Sequence, residues 1–359
     1  MTNKKDRRIN STGSLDHIMV NDQTLTINGW VASKGAGPVT GFYAAVSGTM
    51  CSIIELALHL PSDDVRKIFP NLDNSDHCRF MLRVTLPVGT PCKAPDLLLT
   101  LDPIFEQALG KRLSHRTVPP FPNPPTAFIA EVGGGWSEVA NEFLDYFIDL
   151  GGLKPTDNVL DVGCGAGRMT YGLVNYLALS SRYEGFDTIP EFITWAQLEI
   201  STRYPNFQFR HVPIYNSLYN PTGYIKATEF IFPYEDASFE FVFLTSVFTH
   251  MPGDVIRHYM REIRRVLKPM GRVLISCYLL NSESLQLIAA GKSTIDISHP
   301  LGDGKVSSLD KPDLQWGFEE GLLEDWLEAQ SLSVLDTKYG SWCGRADFVS
   351  YQDLLIVQG

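Results

Sequence analysis

The segment Val159-Leu160-Asp161-Val162-Gly163-Cys164-Gly165-Ala166-Gly167-Arg168 holds the densest chemistry in the sequence. An apolar run ending at an acid and opening into three alternate glycines reads as a buried strand, a turn and a helix start. Glycine at such a turn lets the backbone approach a ligand with no Cβ in the way. The dinucleotide fingerprint GxGxxG is disfavoured, because its third glycine would fall at Arg168, or at Thr170 if the count starts at Gly165. Asp161 beside the ligand path would repel a diphosphate and suit a cationic amine or sulfonium. The next apolar run ends Glu184-Gly185-Phe186-Asp187-Thr188. A carboxylate at the tip of the adjacent parallel strand, about twenty residues on, is placed to accept both hydroxyls of a ribose. Its competing reading is a cap on the following helix.

Positioning these groups takes an alternation of elements. Residues 136–150 place Val139, Phe143, Tyr146, Phe147 and Leu150 on one helical face. Strands over 158–162, 183–186, 207–212, 239–244 and 272–277 alternate with helices over 168–179 and 190–200, and with one whose Ile256, Tyr259, Ile263, Val266 and Leu267 share a side. This pattern predicts βαβ units and a parallel sheet covered on both faces. Two β-like segments, 332–336 and 353–357, follow. The first third of the chain differs. Period-two alternation over 24–31 and 80–86, further candidates at 39–46 and 97–101, and turns such as Asn28-Gly29, Gly35-Ala36-Gly37-Pro38 and Pro87-Val88-Gly89 predict a β-sandwich-like module over 1–115. VPPFPNPP (118–125) and Gly133-Gly134-Gly135 mark an extended Pro/Gly-rich linker, 116–135, before a domain over 136–359.

Composition bounds the function. The chain has 359 residues, 44% hydrophobic, with 30 Lys+Arg against 41 Asp+Glu, a formal charge of −11. A pI near 5.2 argues against nucleic-acid binding through phosphate contacts, which needs a basic surface. The basic N-terminus lacks an apolar signal region, and the longest apolar stretch, 273–280, is too short to span a bilayer, so the expectation is a soluble cytoplasmic protein. Cys51, Cys78, Cys92, Cys164, Cys277 and Cys343 form no CxxC pair. Reduced thiols are expected, with no metal site.

The sequence resembles the class I S-adenosylmethionine-dependent methyltransferases from about Trp136 to Gly359. VLDVGCGAGR matches their first motif, YEGFDTIPE their ribose-binding strand end, FPYEDASFEFVFLTSVFTHM (232–251) their fourth-strand block and REIRRVLKPMGRVLIS (261–276) the helix and fifth strand. The resemblance implies a Rossmann-like seven-stranded mixed sheet with S-adenosylmethionine across the strand ends. By position, Gly163, Gly165 and Gly167 would line its methionyl end with Cys164 and Arg168 beside them, Asp161 would act near its amino group, and Asp187 with Thr188 would hold the ribose. The acid that family members often carry after the third strand is replaced by Pro213, which passes adenine contact to the Ile214 or Tyr215 backbone, or to Asn216. The β module is similar to N-terminal modules of bacterial glycan-associated methyltransferases and glycosyltransferases, through Gly29-Trp30-Val31 and Asp64-Val65-Arg66 to Phe69-Pro70.

Methyl transfer to a hydroxyl needs alignment and a base. His250, after the fourth strand, is the candidate base, with a local hydrogen-bonding role as its alternative. Tyr215, Tyr219, Tyr224, Phe230 and Phe232 lie on a long loop, 215–234, suited to cover an acceptor. Tyr278, Asn281, Trp342 and Arg345 are candidates for an acceptor wall, Arg345 as a carboxylate or phosphate fork. The expected acceptor is a sugar or glycan-linked hydroxyl. The rivals are O- or N-methylation of a small natural-product scaffold and an inert glycan- or partner-binding protein. A homodimer is carried as a partner expectation.

Overall fold

The computed structural model describes residues 9, 11–21, 23–46, 48–87, 98–106, 108–116, 121–133 and 135–359. Cys92, Leu97, the Val88-Gly89 turn, residues 118–120 of the proline run and Gly134 lie outside them. The chain divides into two compact units, Met1–Pro120 and Phe121–Gly359.

The first unit is all-β. One four-stranded antiparallel sheet runs Ser11–Asn21, Thr24–Ser33, Arg79–Thr85, Ser52–Leu60, and another runs Thr49–Met50, Gly41–Val46, Leu98–Ile104, Leu113–Arg116. The alternation read from the sequence is real: Leu25 and Ile27 of the first sheet, and Phe42 and Ala44 of the second, share one buried cluster with Phe80, Leu82 and Val84. Ser11–Asn21 and Ser52–Leu60 gave no sequence signal. In Ser52–Leu60 no side chain is fully buried, so nothing enforces an apolar period.

The second unit is built on a seven-stranded sheet. In chain order its strands are Val159–Val162, Tyr183–Asp187, Phe207–His211, Phe239–Leu244, Leu267–Cys277, Ser333–Lys338 and Asp353–Gln358. In space the order is third, second, first, fourth, fifth, seventh, sixth. The first five are parallel, and Asp353–Gln358 runs antiparallel to both of its neighbours. The strand order reverses between the first and the fourth, and open α/β sheets bind ligands at the carboxyl end of such a switch point. Trp136–Asp149 stacks Phe147 on Phe243, centroids 4.3 Å apart, while Gly253–Val266 buries Ile256, Tyr259, Ile263 and Val266.

Two local expectations need correction, and a third, the helix over 190–200, holds with a wider last turn. The helix expected over 168–179 is helical only at Thr170–Leu173, with turns beyond it, where the poor helix former Asn175 lies. The helix from Pro190 runs to Ala196 and then widens into a π-turn, Gln197–Ser201. The supposed linker contains a helix, Thr126–Val132, and Phe121 packs edge-on against Tyr171 and Trp195. Between the fifth and sixth strands the chain also builds a small sheet from Leu279–Leu280, Trp316–Glu319, Gly304–Val306 and His299–Leu301, an insert the sequence reading did not foresee. No helix among the described residues is long and apolar enough to cross a membrane.

Candidate active site

A cavity of about 490 Å³ opens at the switch point, floored by the glycine turn and walled by the exits of the first four strands. Gly163, Gly165 and Gly167 have φ of +76°, +55° and +81°, the left-handed region that favours glycine. A Cβ added at Gly163 would meet Val247 Cγ2 at 2.6 Å, so the turn after the fourth strand closes directly on this floor. Gly163, Cys164, Gly165 and Arg168 line the cavity; Gly167 is packed behind, where a Cβ would strike Ile200 at 2.7 Å.

Asp187 lines the cavity at the tip of the second strand. One carboxylate oxygen accepts from Ile189 N–H at 3.0 Å and the other from Gly165 N–H at 2.8 Å. The capping role is therefore real, and it also ties the acid to the glycine turn. Each oxygen keeps a lone pair for a further donor. Burial raises the carboxyl above its ordinary value, opposed by the N–H groups of Ile189, Gly165 and Thr188.

Several residues have roles other than those expected. Asp161 is fully buried and does not line the cavity. Its Oδ2 accepts from the Tyr183 hydroxyl at 2.6 Å, Oδ1 has no partner among the described residues, and burial pushes the carboxyl up to about 8. Arg168 spends its guanidinium on the carbonyl of Gly133, at 2.6 Å, holding the end of Thr126–Val132 against the turn. That helix brings Glu131 and Val132 into the lining, which the reading of an extended linker missed. Thr188 Oγ1 donates to the Ile214 carbonyl at 2.7 Å. The Ile214 and Tyr215 N–H groups bond Val212 and Ile225 carbonyls, so neither is available to adenine; Asn216 Oδ1 accepts from the Leu218 and Tyr219 N–H groups, each at 2.9 Å, which leaves its amide nitrogen as a donor on that wall.

The second acceptor wall is also corrected. Tyr278, Asn281, Trp342 and Arg345 line no part of this cavity. Arg345 is 5% exposed, its Nη1 donating to Asp353 at 2.8 Å and its Nε to Glu283 at 2.9 Å, because a buried cation needs a partner. Trp342 Nε1 donates to the same Asp353 at 2.7 Å. Asn281 caps the helix Ser282–Ala289 with a reciprocal Ser284 bond. Tyr278 accepts from Gln352, which in turn accepts from Ser276 at 2.6 Å and from Ser246 at 3.2 Å. This web braces Ser246, a lining residue at φ +59°, from behind. His258 bonds the Phe230 carbonyl at 2.7 Å, as a structural residue does.

His250 faces the cavity from the turn Phe248–His250. Its Nδ1 lies 2.9 Å from the carbonyl oxygen of Asp313, a residue of the insert. Tyr219 meets the imidazole edge-on, centroids 5.3 Å apart. Burial lowers the His250 pKa below its ordinary value, against the pull of the Asp313 and Leu314 backbone and the Asp313 carboxylate. Tyr219 is pushed up to about 12 by burial and by Glu131, Asp187 and Asp313. Asp313 and Glu131 had no sequence signal, one lying in an unforeseen insert and the other in a supposed linker.

Residues 160–275 match the family model described as a methyltransferase domain. This chain carries a methyltransferase domain over those residues. Among solved structures, the chain is similar to 1,6-didemethyltoxoflavin-N1-methyltransferase of Burkholderia thailandensis, crystallised with bound 1,6-didemethyltoxoflavin and S-adenosylhomocysteine, at 18% identity over 65% of this chain and 82% of that one, TM-score 0.42. It is also similar to a SAM-dependent methyltransferase from Aquifex aeolicus, at 16% identity over 66% of this chain and 99% of that one, TM-score 0.42. The residues present fit the cofactor. The turn is open where a Cβ would close it, and a carboxylate stands at the second strand end. Apolar groups such as Met169, Phe192 and Val212 complete the walls. Cys164, in the floor, is a buried thiol whose pKa burial holds well above the ordinary value, so it is inert.

Proposed function

We propose that this methyltransferase transfers the methyl group of S-adenosylmethionine to a hydroxyl of a sugar or glycan-linked acceptor. The cofactor, when bound, supplies an electrophilic methyl on a sulfonium. The chain's own residues do the rest: the glycine turn allows close approach, Asp187 would accept from ribose hydroxyls, and Asn216 would offer its amide nitrogen to the base. The observation that carries the acceptor reading is His250. Its lowered pKa keeps the ring neutral near pH 7, so it can take the proton of a hydroxyl. Hydroxyl-bearing Ser217, Tyr219, Thr245 and Ser246 around it suit a polyol. The sugar assignment leans on the likeness of the β module to glycan-associated enzymes. Among the described residues the free thiols Cys51, Cys78, Cys164, Cys277 and Cys343 suit a reducing compartment, the cytoplasm.

A second reading has its own support. Glu131 and Asp313 bring carboxylates to the same cavity, which would hold an ammonium and favour N-methylation. Release of S-adenosylhomocysteine is measured with the full chain against a panel of free sugars, sugar nucleotides, phenols and amines. Turnover on a sugar hydroxyl is expected, and turnover confined to amines overturns the reading. With the accepted substrate, His250→Ala should bind S-adenosylmethionine as the wild type does in calorimetry and turn over about 10²-fold slower or worse. A near wild-type rate removes His250 as the base.

A further inference from the structure

Resting on the reading of His250 as the base, we propose that Asp313 is a positioning residue for proton transfer: its carbonyl fixes the tautomer of His250 and its carboxylate sets the charge the ring will bear. Asp313 sits in the turn Pro312–Leu314, within the insert between the fifth and sixth strands. It lies 63 residues from His250 in the chain, yet its carbonyl oxygen is 2.9 Å from Nδ1. A carbonyl only accepts, so Nδ1 carries the proton and the neutral ring has its lone pair on Nε2.

Among the described residues that lone pair meets one hydrogen-bonding group, the Tyr219 hydroxyl, at long range. The Tyr219 hydroxyl lies 3.4 Å from Nε2 and 3.5 Å from Nδ1, with the ring planes 85° apart. A hydroxyl almost equidistant from both nitrogens, at such length, makes no directed bond to either. His250 lines the cavity, so Nε2 is left to a substrate hydroxyl.

The carboxylate of Asp313 is pinned as well. Ser217, on the loop after the third strand, donates its hydroxyl to Oδ2 of Asp313 at 2.5 Å. Loop and insert are thereby joined across the cavity, and both residues line it. Around His250, the loop supplies Tyr219 and the insert supplies the Asp313 carboxylate, which is the charged group acting on the ring; Glu131 and Asp187 act on Tyr219. Burial alone would leave the imidazole a poor base. A fixed anion beside it stabilises the imidazolium that forms as the proton arrives.

The test is an NMR titration of the full chain with ¹⁵N-labelled imidazoles, with His250 assigned by its loss in His250→Gln. The expected neutral form is protonated on Nδ1. Asp313→Asn keeps the backbone carbonyl and an oxygen for Ser217 but loses the charge, so the His250 midpoint should fall by about half a unit or more. Asp313→Glu should restore it. A neutral form protonated on Nε2, or an unmoved midpoint in folded Asp313→Asn, overturns the inference. If Asp313→Asn does not fold, the wild-type tautomer decides. The titration needs no acceptor, whereas the base reading fails in the turnover of His250→Ala, so the two failures are told apart.

Discussion

Asp161 shows how one side chain can belong to a motif without touching what the motif binds. It ends the first strand, and burial under the glycine turn leaves it, among the described residues, with one hydroxyl partner and one oxygen that has none. The cost of ionising it there raises its carboxyl from the ordinary range to about 8. In the unfolded chain the same group loses its proton near pH 4. Between these values the native state holds a proton that the unfolded state has released, so the stability conferred at low pH is lost as pH rises toward 8. At about 1.4 kcal/mol per unit the loss amounts to a few kcal/mol. Asp161→Asn has no proton to release and can still accept from Tyr183. Thermal unfolding of the cofactor-free protein at pH 5 and pH 8 should therefore show a steeper fall for the wild type than for Asp161→Asn. Parallel slopes would show that Asp161 ionises normally.

Two turns interlock at the switch point, and their fit belongs to the elements rather than to any one side chain. The turn after the first strand presents Gly163 at φ +76°, and the turn after the fourth presents Val247 against it. Ser246, next to Val247, is itself left-handed, its N–H donating to Ser276 Oγ at 2.7 Å, so Val247 has little room to retreat. Gly163→Ala adds the left-handed cost of about 1–2 kcal/mol and a 2.6 Å clash with Val247. Gly152 has a similar φ, +72°, but nothing within 4 Å of the added Cβ. Gly152→Ala should lose stability by the left-handed cost alone in a thermal melt and bind S-adenosylmethionine normally. Gly163→Ala should in addition bind at least about tenfold more weakly in calorimetry, the equivalent of about 1.4 kcal/mol. Full affinity in Gly163→Ala would mean that this turn is not the floor of the cofactor site.

For the whole molecule, what was legible in the sequence is what repeats locally. The glycine turn, Asp187 and the strand-helix alternation each announce themselves within a few residues, and two regimes of apolar period separate the β unit from the α/β unit. Asp313, the strand Ser52–Leu60 and the Arg345–Asp353 pair do not, because each is defined by a partner distant in the chain or by a surface with no buried side. Both units own a core: Leu82 is fully buried in the first and Val242 in the second. If these cores are independent, damage to one is not felt by the other. Leu82→Ala should cost the first unit about 2–5 kcal/mol. In scanning calorimetry of the full chain, that unit's transition should move down while the second stays in place, and S-adenosylmethionine affinity should not change. Val242→Ala should do the converse and weaken cofactor binding, since its strand leads into the turn that carries Ser246 and Val247. A single transition shifting as one in both variants would make the 359 residues one cooperative unit, and the β unit would then support the catalytic site energetically.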